Sequence, residues 1–241
     1  MQVSFKEKIK EMLAGIGINL TDRQVETIKS YIDMLLETNR EMNLTAINEE
    51  GEIWRKHVID SLLVFCAAEI SSGARVIDVG SGAGIPGIIL KIYRPDLNLT
   101  LLEAQRKKII FQEEAVAKLG LNNIKCLWSR AEEAGRLEEH REKYDVAVAR
   151  AVAPLNILVE YCLPLVKVGG LMIAYKGPSV NEELKAAEKA IAILGGGQPE
   201  VWRGHLPGGE EERRLIKIKK STKTPTDYPR RAGVPARRPL K

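Results

Sequence analysis

The stretch "VIDVGSGAGIPG", residues 76–87, decides how the rest of the chain is read. Val76, Ile77 and Val79 make a short apolar run that suits a buried strand, and four glycines with Pro86 follow directly. A strand that enters such a loop and leaves it as a helix is the opening unit of a parallel α/β sheet. Glycine there lets a ligand approach the backbone closely, and the helix that follows points its first N–H groups at the same place.

Outward from this loop, short runs rich in Val, Ile and Leu alternate with helical stretches. "RVIDV", "NLTLLE", "IKCLW", "YDVAVAR" and "GGLMIAYK" read as strands, separated by helical segments such as "QRKKIIFQEEAVAKLG" and "SVNEELKAAEKAIAIL". Near the end, "QPEVWRGHLPGGEEERRLIKIKK" holds two strand-like runs with no room for a helix between them, so they should pair antiparallel. The expected fold is a doubly wound, mostly parallel sheet, Rossmann-like, closed by an antiparallel hairpin. Residues before Arg75 read as helices instead. "SFKEKIKEMLAGIG" ends on glycines, Thr21 or Asp22 caps the next helix, and "IWRKHVIDSLLVFCAAEI" forms a third. Three regions follow: helices over 1–70, the sheet domain over 71–220, and a basic, Pro-rich tail over 221–241.

Composition narrows the class. Of 241 residues 44% are hydrophobic and 29% charged, ordinary values for a soluble domain, and no apolar run approaches the roughly 20 residues of a membrane helix. The charged N-terminus lacks the apolar core of a secretory signal. Cys66, Cys126 and Cys162 are scattered and odd in number, as core residues in a reducing compartment would be, and a cytoplasmic location is expected. Net charge is +5, and from Arg213 to Lys241 the only acid is Asp227. Such a tail fits a polyanionic partner, nucleic acid above all, and equally a solvated chain end.

The glycine loop admits two ligands. Gly82-x-Gly84-x-x-Gly87 fits a dinucleotide pattern, whereas Gly80-x-Gly82-x-Gly84 fits the loop of S-adenosylmethionine-dependent methyltransferases. Asp78, at the strand end, would repel a pyrophosphate and suits a sulfonium or ammonium, which favours the methyl donor over NAD(P). Glu103 ends the second strand, where a carboxylate can take both ribose hydroxyls in either class, or merely cap the next helix. Ala131 and Glu132 in "SRAEE" fall beside the expected adenine position. The fourth strand carries the substrate chemistry at its carboxyl end; it holds neither an Asn/Asp-Pro-Pro-aromatic motif nor a Pro-Cys nucleophile, and Arg150 stands in their place. That is compatible with guanine N7, which has a bare lone pair and no proton to lose. Lys176 faces the same edge and could hold RNA phosphate, while a salt bridge is the plain alternative for Arg150. Trp54, Trp128 and Trp202 read as packing residues and His57, near Asp60, as a hydrogen-bonded helix histidine; no metal site is expected.

Together "MNLTAI", "RKHVIDS", "VIDVGSGAGIPGI", "LLEAQRKK", "SRAEE", "VARAVAPL" and "YKGP" closely resemble the RsmG family, also called glucose-inhibited division protein B, over nearly the whole chain. The resemblance implies a class I methyltransferase acting on N7 of a guanine in the 530-loop region of 16S rRNA, with S-adenosylmethionine as donor and S-adenosylhomocysteine as product. It implies donor contacts at Gly80, Ile85, Ala131, Glu132 and Arg150, and it matches Glu103 to the family's acidic strand end. Arg150 and Lys176 are the expected substrate-positioning residues, and Arg55, His57 and the tail further candidates for RNA contact. The expected partner is 16S rRNA, the small ribosomal subunit or its precursor, met by a monomer. An NAD(P) oxidoreductase and a non-catalytic rRNA-binding assembly factor stand as the alternatives.

Overall fold

A computed structural model describes residues 5–177, 180–209 and 211–240, so Pro178 of the "YKGP" motif lies outside the described residues. Helices α1 (Phe5–Ala14) and α2 (Asp22–Asn39) come first. Thr21 caps α2: its hydroxyl accepts the Gln24 amide at 3.2 Å, and the Gln24 side chain accepts the Thr21 amide at 2.9 Å. The third helical stretch is not one plain helix. It runs as α3 (Glu50–Ile53), a π-helical segment (Trp54–Ile59), α4 (Asp60–Leu62) and α5 (Val64–Ala67). The wider π turn changes the angular spacing of side chains, and His57 and Asp60 both reach the same arginine, described below.

The sheet follows: β1 (Arg75–Val79), α6 (Gly87–Tyr93), β2 (Asn98–Glu103), α7 (Arg106–Lys118), β3 (Ile124–Trp128), α8 (Ala131–Ala134), β4 (Tyr144–Arg150), α9 (Leu155–Cys162), β5 (Val166–Lys176), α10 (Val180–Ile193), β6 (Glu200–His205) and β7 (Glu212–Lys219). Strand order is β3-β2-β1-β4-β5-β7-β6. The first five strands are parallel, and β7 is antiparallel to both β5 and β6. These are the strands and the closing hairpin expected from the sequence. The winding reverses between β1 and β4, the crevice where open α/β sheets bind ligands.

Alternate residues of each strand feed opposite faces. Val76 joins a core with Leu13, Ile28, Leu35, Ile59, Ile88 and Leu101, so the N-terminal helices share one apolar cluster with one sheet face. Ile77 packs on the other face with Ala147, Leu158 and Met172. Two polar contacts tie α2 to the loop region: Tyr31, buried, donates its hydroxyl to the Ala83 carbonyl at 2.7 Å, and Gln24 donates to the carbonyls of Ile92 and Tyr93 at the end of α6. Cys162 is buried in the core with Ile77, and Cys66 and Cys126, partly buried, pack against the other core, that of Val76. Among the described residues no helix is long and apolar enough to cross a membrane.

The basic end is not a solvated strand of chain. Arg230 grips Glu160, which is fully buried on α9, with two parallel bonds of 2.9 and 2.6 Å. Arg141 donates to the carbonyls of Thr224, Pro225 and Tyr228. A last helix, α11 (Val234–Arg237), buries Pro235.

Gly87 sets how closely α6 sits on β1. A Cβ there would lie 2.4 Å from Leu101 Cδ2 and 2.9 Å from Asp78 Oδ2, so the third glycine of the loop is a packing requirement. Gly87→Ala is expected to cost about 1–3 kcal/mol, the usual penalty of overpacking, read as a lower urea midpoint at unchanged m-value.

Candidate functional site

Two clefts open side by side at the carboxyl ends of the parallel strands. The first, about 300 Å³, is lined by Gly80, Glu103, Ser129, Ala131, Glu132 and Ala151 among others. The second, about 310 Å³, is lined by Asp60, Arg150, Ala151, Tyr175, Lys176 and Arg213 among others. Ala151 belongs to both and forms the partition, in a left-handed conformation (φ +56°) that costs an alanine about 1 kcal/mol or more. A larger depression, about 460 Å³, lies between α10 and residues 196–199, away from these strand ends.

In the first cleft Glu103, nearly buried, accepts the Gly82 amide on one carboxylate oxygen (2.9 Å) and the Gln105 amide on the other (2.8 Å). A carboxylate has about four acceptor positions, so two remain for a ligand's hydroxyls. Gln112, from α7, steadies the loop through Ser81 Oγ and the Gly82 carbonyl. The loop's own donors are used inside the protein. Gly80 and Ser81 bond to the Leu102 carbonyl, Gly84 and Ile85 to that of Ser81, and Gly87 to Asp78. None of these amides is aimed at an incoming phosphate, which counts against a pyrophosphate ligand.

Asp78 is fully buried directly before the Val79–Gly80 wall of this cleft. Its Oδ2 accepts the Gly87 amide at 2.8 Å, and its Oδ1 has no hydrogen-bond partner. Burial pushes its pKa up to about 7, against the pull of the Gly87 bond and Arg150. Beside Gly82 (φ +59°) an added Cβ would meet nothing within 4 Å, so there is open space against the backbone. Lys108 and Arg130 balance Glu103 and Glu132 along the cleft wall, so the preference for a cationic, phosphate-free nucleoside rests on the orphaned Asp78 oxygen behind it and on loop amides already bonded within the protein.

The second cleft is built around Arg150. One terminal nitrogen donates to the Lys56 carbonyl (2.8 Å) and to Asp60 (2.9 Å); the other donates to His57 Nδ1 at 3.0 Å. Asp60, nearly buried, accepts Arg213 on its second oxygen at 2.8 Å. Because arginine can only donate, His57 Nδ1 is the acceptor, and Nε2 carries the hydrogen toward Thr45 Oγ1 at 2.8 Å. Burial and the neighbouring guanidinium hold His57 down to about 4. Lys176 donates to Glu183 (2.6 Å) and to the Ala153 carbonyl (2.8 Å), so its ammonium ties the loop after β4 to α10. Tyr175 donates to the Ser61 carbonyl at 2.6 Å.

Of the residues singled out in the sequence, Gly80, Glu103, Ala131 and Glu132 come together in the first cleft, and Arg150 and Lys176 in the second. Asp78, Gly82 and Ile85 line neither: Gly82 supports the first cleft through its bond to Glu103, Asp78 lies behind the neighbouring Val79 and bonds to Gly87, and Ile85 is buried in the core shared with the N-terminal helices. No sequence pattern marks Thr45, Gln112 or Arg213 as site residues, and spacing sets Asp60 beside His57 without a cation. An acid between the apolar runs of "HVIDSLL" was the available signal for Asp60, since a carboxylate on a buried helix face needs a cation.

A family profile described as rRNA small subunit methyltransferase G matches residues 24–213, stopping short of the C-terminal segment. The ribosomal RNA small subunit methyltransferase G of Moorella thermoacetica is 59% identical over 93% of this chain and 93% of its own. That of Alkaliphilus oremlandii is 47% identical over 99% of this chain and 100% of its own. Among solved structures, a predicted O-methyltransferase from Agrobacterium tumefaciens superposes with TM-score 0.54 at 18% identity, over 69% of this chain and 81% of that one. A SAM-dependent O-methyltransferase from Thermotoga maritima gives 0.51 at 16%, over 79% and 73%. At such identity these two speak for the fold alone.

His57 sets a pH dependence. Its folded pKa lies below its unfolded value of 6.5, so its contribution to stability is present above pH 6.5 and is lost as pH falls toward 4. Asp78 titrates in the opposite sense and cancels when wild type is compared with His57→Gln. The stability difference between the two proteins, from urea unfolding, is expected to shift against wild type by about 1–2 kcal/mol between pH 7 and pH 5.

Proposed function

The chain belongs to the rRNA small subunit methyltransferase G family, and from that premise we propose that it transfers a methyl group from S-adenosylmethionine to N7 of a guanine in the 530-loop region of 16S rRNA. The observation that carries this reading is the pair of clefts divided by Ala151, one holding the Glu103 carboxylate with acceptor positions to spare at the end of β2, the other lined with arginines. The donor, when bound, supplies an electrophilic methyl on a positively charged sulfur. Glu103 holds the ribose hydroxyls with the acceptor positions that Gly82 and Gln105 leave open. Ala131 and Glu132 flank the adenine, and the Asp78 carboxylate compensates positive charge behind the Val79–Gly80 wall.

The second cleft receives the guanine. Its titratable groups are already engaged: Asp60 by two arginines, Tyr175 by Ser61, Lys176 by Glu183. None is poised to remove a proton, and N7 has none to give. The chemistry left to the protein is alignment. Arg150, its donors fixed by Asp60, His57 and Lys56, offers a planar guanidinium against which a purine can stack. Lys176 acts by holding the loop after β4 to α10, a firmer role than a loose phosphate contact. The protein works as a cytoplasmic monomer on the small subunit or its precursor.

Labelled S-adenosylmethionine, incubated with the protein and small subunits from a strain lacking the activity, is expected to label N7 of one guanine in the 530 loop. Association should weaken with salt, as phosphate contacts release counterions. If the donor binds yet subunits, precursor particles and free rRNA all stay unlabelled, the assembly-factor reading replaces this one. Binding of NAD without S-adenosylmethionine would restore the oxidoreductase.

A further inference from the structure

The C-terminal segment after β7 reaches the first cleft. Its anchors are Arg230 on the buried Glu160, Arg141 on three segment carbonyls, and Arg136, which donates to the Pro229 carbonyl at 2.8 Å. These charge-assisted bonds lead the chain across α9 to Gly233, in the left-handed region at φ +77°. There the Gly233 amide donates to Glu132 Oε1 at 2.8 Å.

Glu132 has only 4% of its surface exposed, so its carboxylate must be paired, and the Gly233 amide is the partner it has among the described residues. Its other oxygen takes no hydrogen bond there, in a side chain that lines the first cleft. The carboxylate sits on α8, a helix of four residues, too short to fix an acid's rotamer by its own packing.

We propose that the C-terminal segment is a positioning element of the methyl-donor site: the Gly233 amide orients the Glu132 carboxylate so that its second oxygen faces the donor's nucleobase. This rests on the reading of Glu132 as a donor-site residue. Gly233 touches no ligand; it acts through Glu132, which distinguishes the segment from a simple tether of α9.

The consequence is reciprocal. If an ordered Gly233 amide improves donor binding, bound donor must order that amide by the same factor. The test is hydrogen exchange on the full-length protein, with and without saturating S-adenosylhomocysteine, comparing the peptide around Gly233 with α1, which contributes no residue to the cleft lining. Exchange at Gly233 is expected to slow about fivefold or more while α1 is unchanged, and in Glu132→Ala that slowing should disappear together with at least about tenfold of the S-adenosylhomocysteine affinity. Unchanged exchange at Gly233, with affinity still lost in Glu132→Ala, would overturn the positioning role and leave the donor-site reading intact. Wild-type affinity in Glu132→Ala would overturn both.

Discussion

A buried carboxylate is the constraint on which the site depends. Asp78 is the penultimate residue of β1 with no surface exposed, and the side-chain bond it accepts from the Gly87 amide pins the start of α6 to that strand. The contact is possible only because residue 87 lacks a side chain, and it fixes where the loop between must run. From that loop Gly82 meets Glu103, Ala83 meets Tyr31, and the wall of the first cleft is set. Burying the acid carries a penalty: its folded pKa lies far above its unfolded one, so ionised Asp78 works against the free fold above neutral pH. A free energy held against stability at a strand end is what a cationic ligand can recover on binding.

The second cleft answers a different problem, how to hold an arginine still. Asp60, His57 and the Lys56 carbonyl all come from the π-helical stretch and its next turn, and together they meet the guanidinium of Arg150 at the end of β4. Buried ion pairs do little for net stability, but a multiply bonded guanidinium has one orientation. The N-terminal helices thereby take part in the site. Thr45 orients His57, and Tyr31 braces the glycine loop across the shared core.

Much of this was legible in the sequence because it depends on local signals. The strands are β-branched runs bounded by turns, and each was placed from that pattern, as was the antiparallel return of β6 and β7 across a Pro/Gly loop. The members of the first cleft follow from strand ends, where spacing along the chain fixes position in space. What escaped depends on distance in sequence. His57 and Asp60 are neighbours by spacing alone, but their common partner Arg150 lies about ninety residues further along the chain and was out of reach. Lys176 faces the expected edge, but its pairing with Glu183 depends on how α10 returns to the sheet. The basic tail has the composition of a solvated end, yet Arg230 finds a buried acid on a helix 70 residues away.

In the proposed reading S-adenosylmethionine binds in the first cleft with an ionised Asp78 behind it. Calorimetric titration of the donor at pH 6.5, in two buffers of different ionisation enthalpy, measures it most directly. Below about pH 7 the free protein holds a proton on Asp78, and a cationic ligand should expel it. Release of most of one proton per donor bound is expected, with binding that tightens as pH rises toward 8. Binding without proton release, or tightening as pH falls, would contradict that reading.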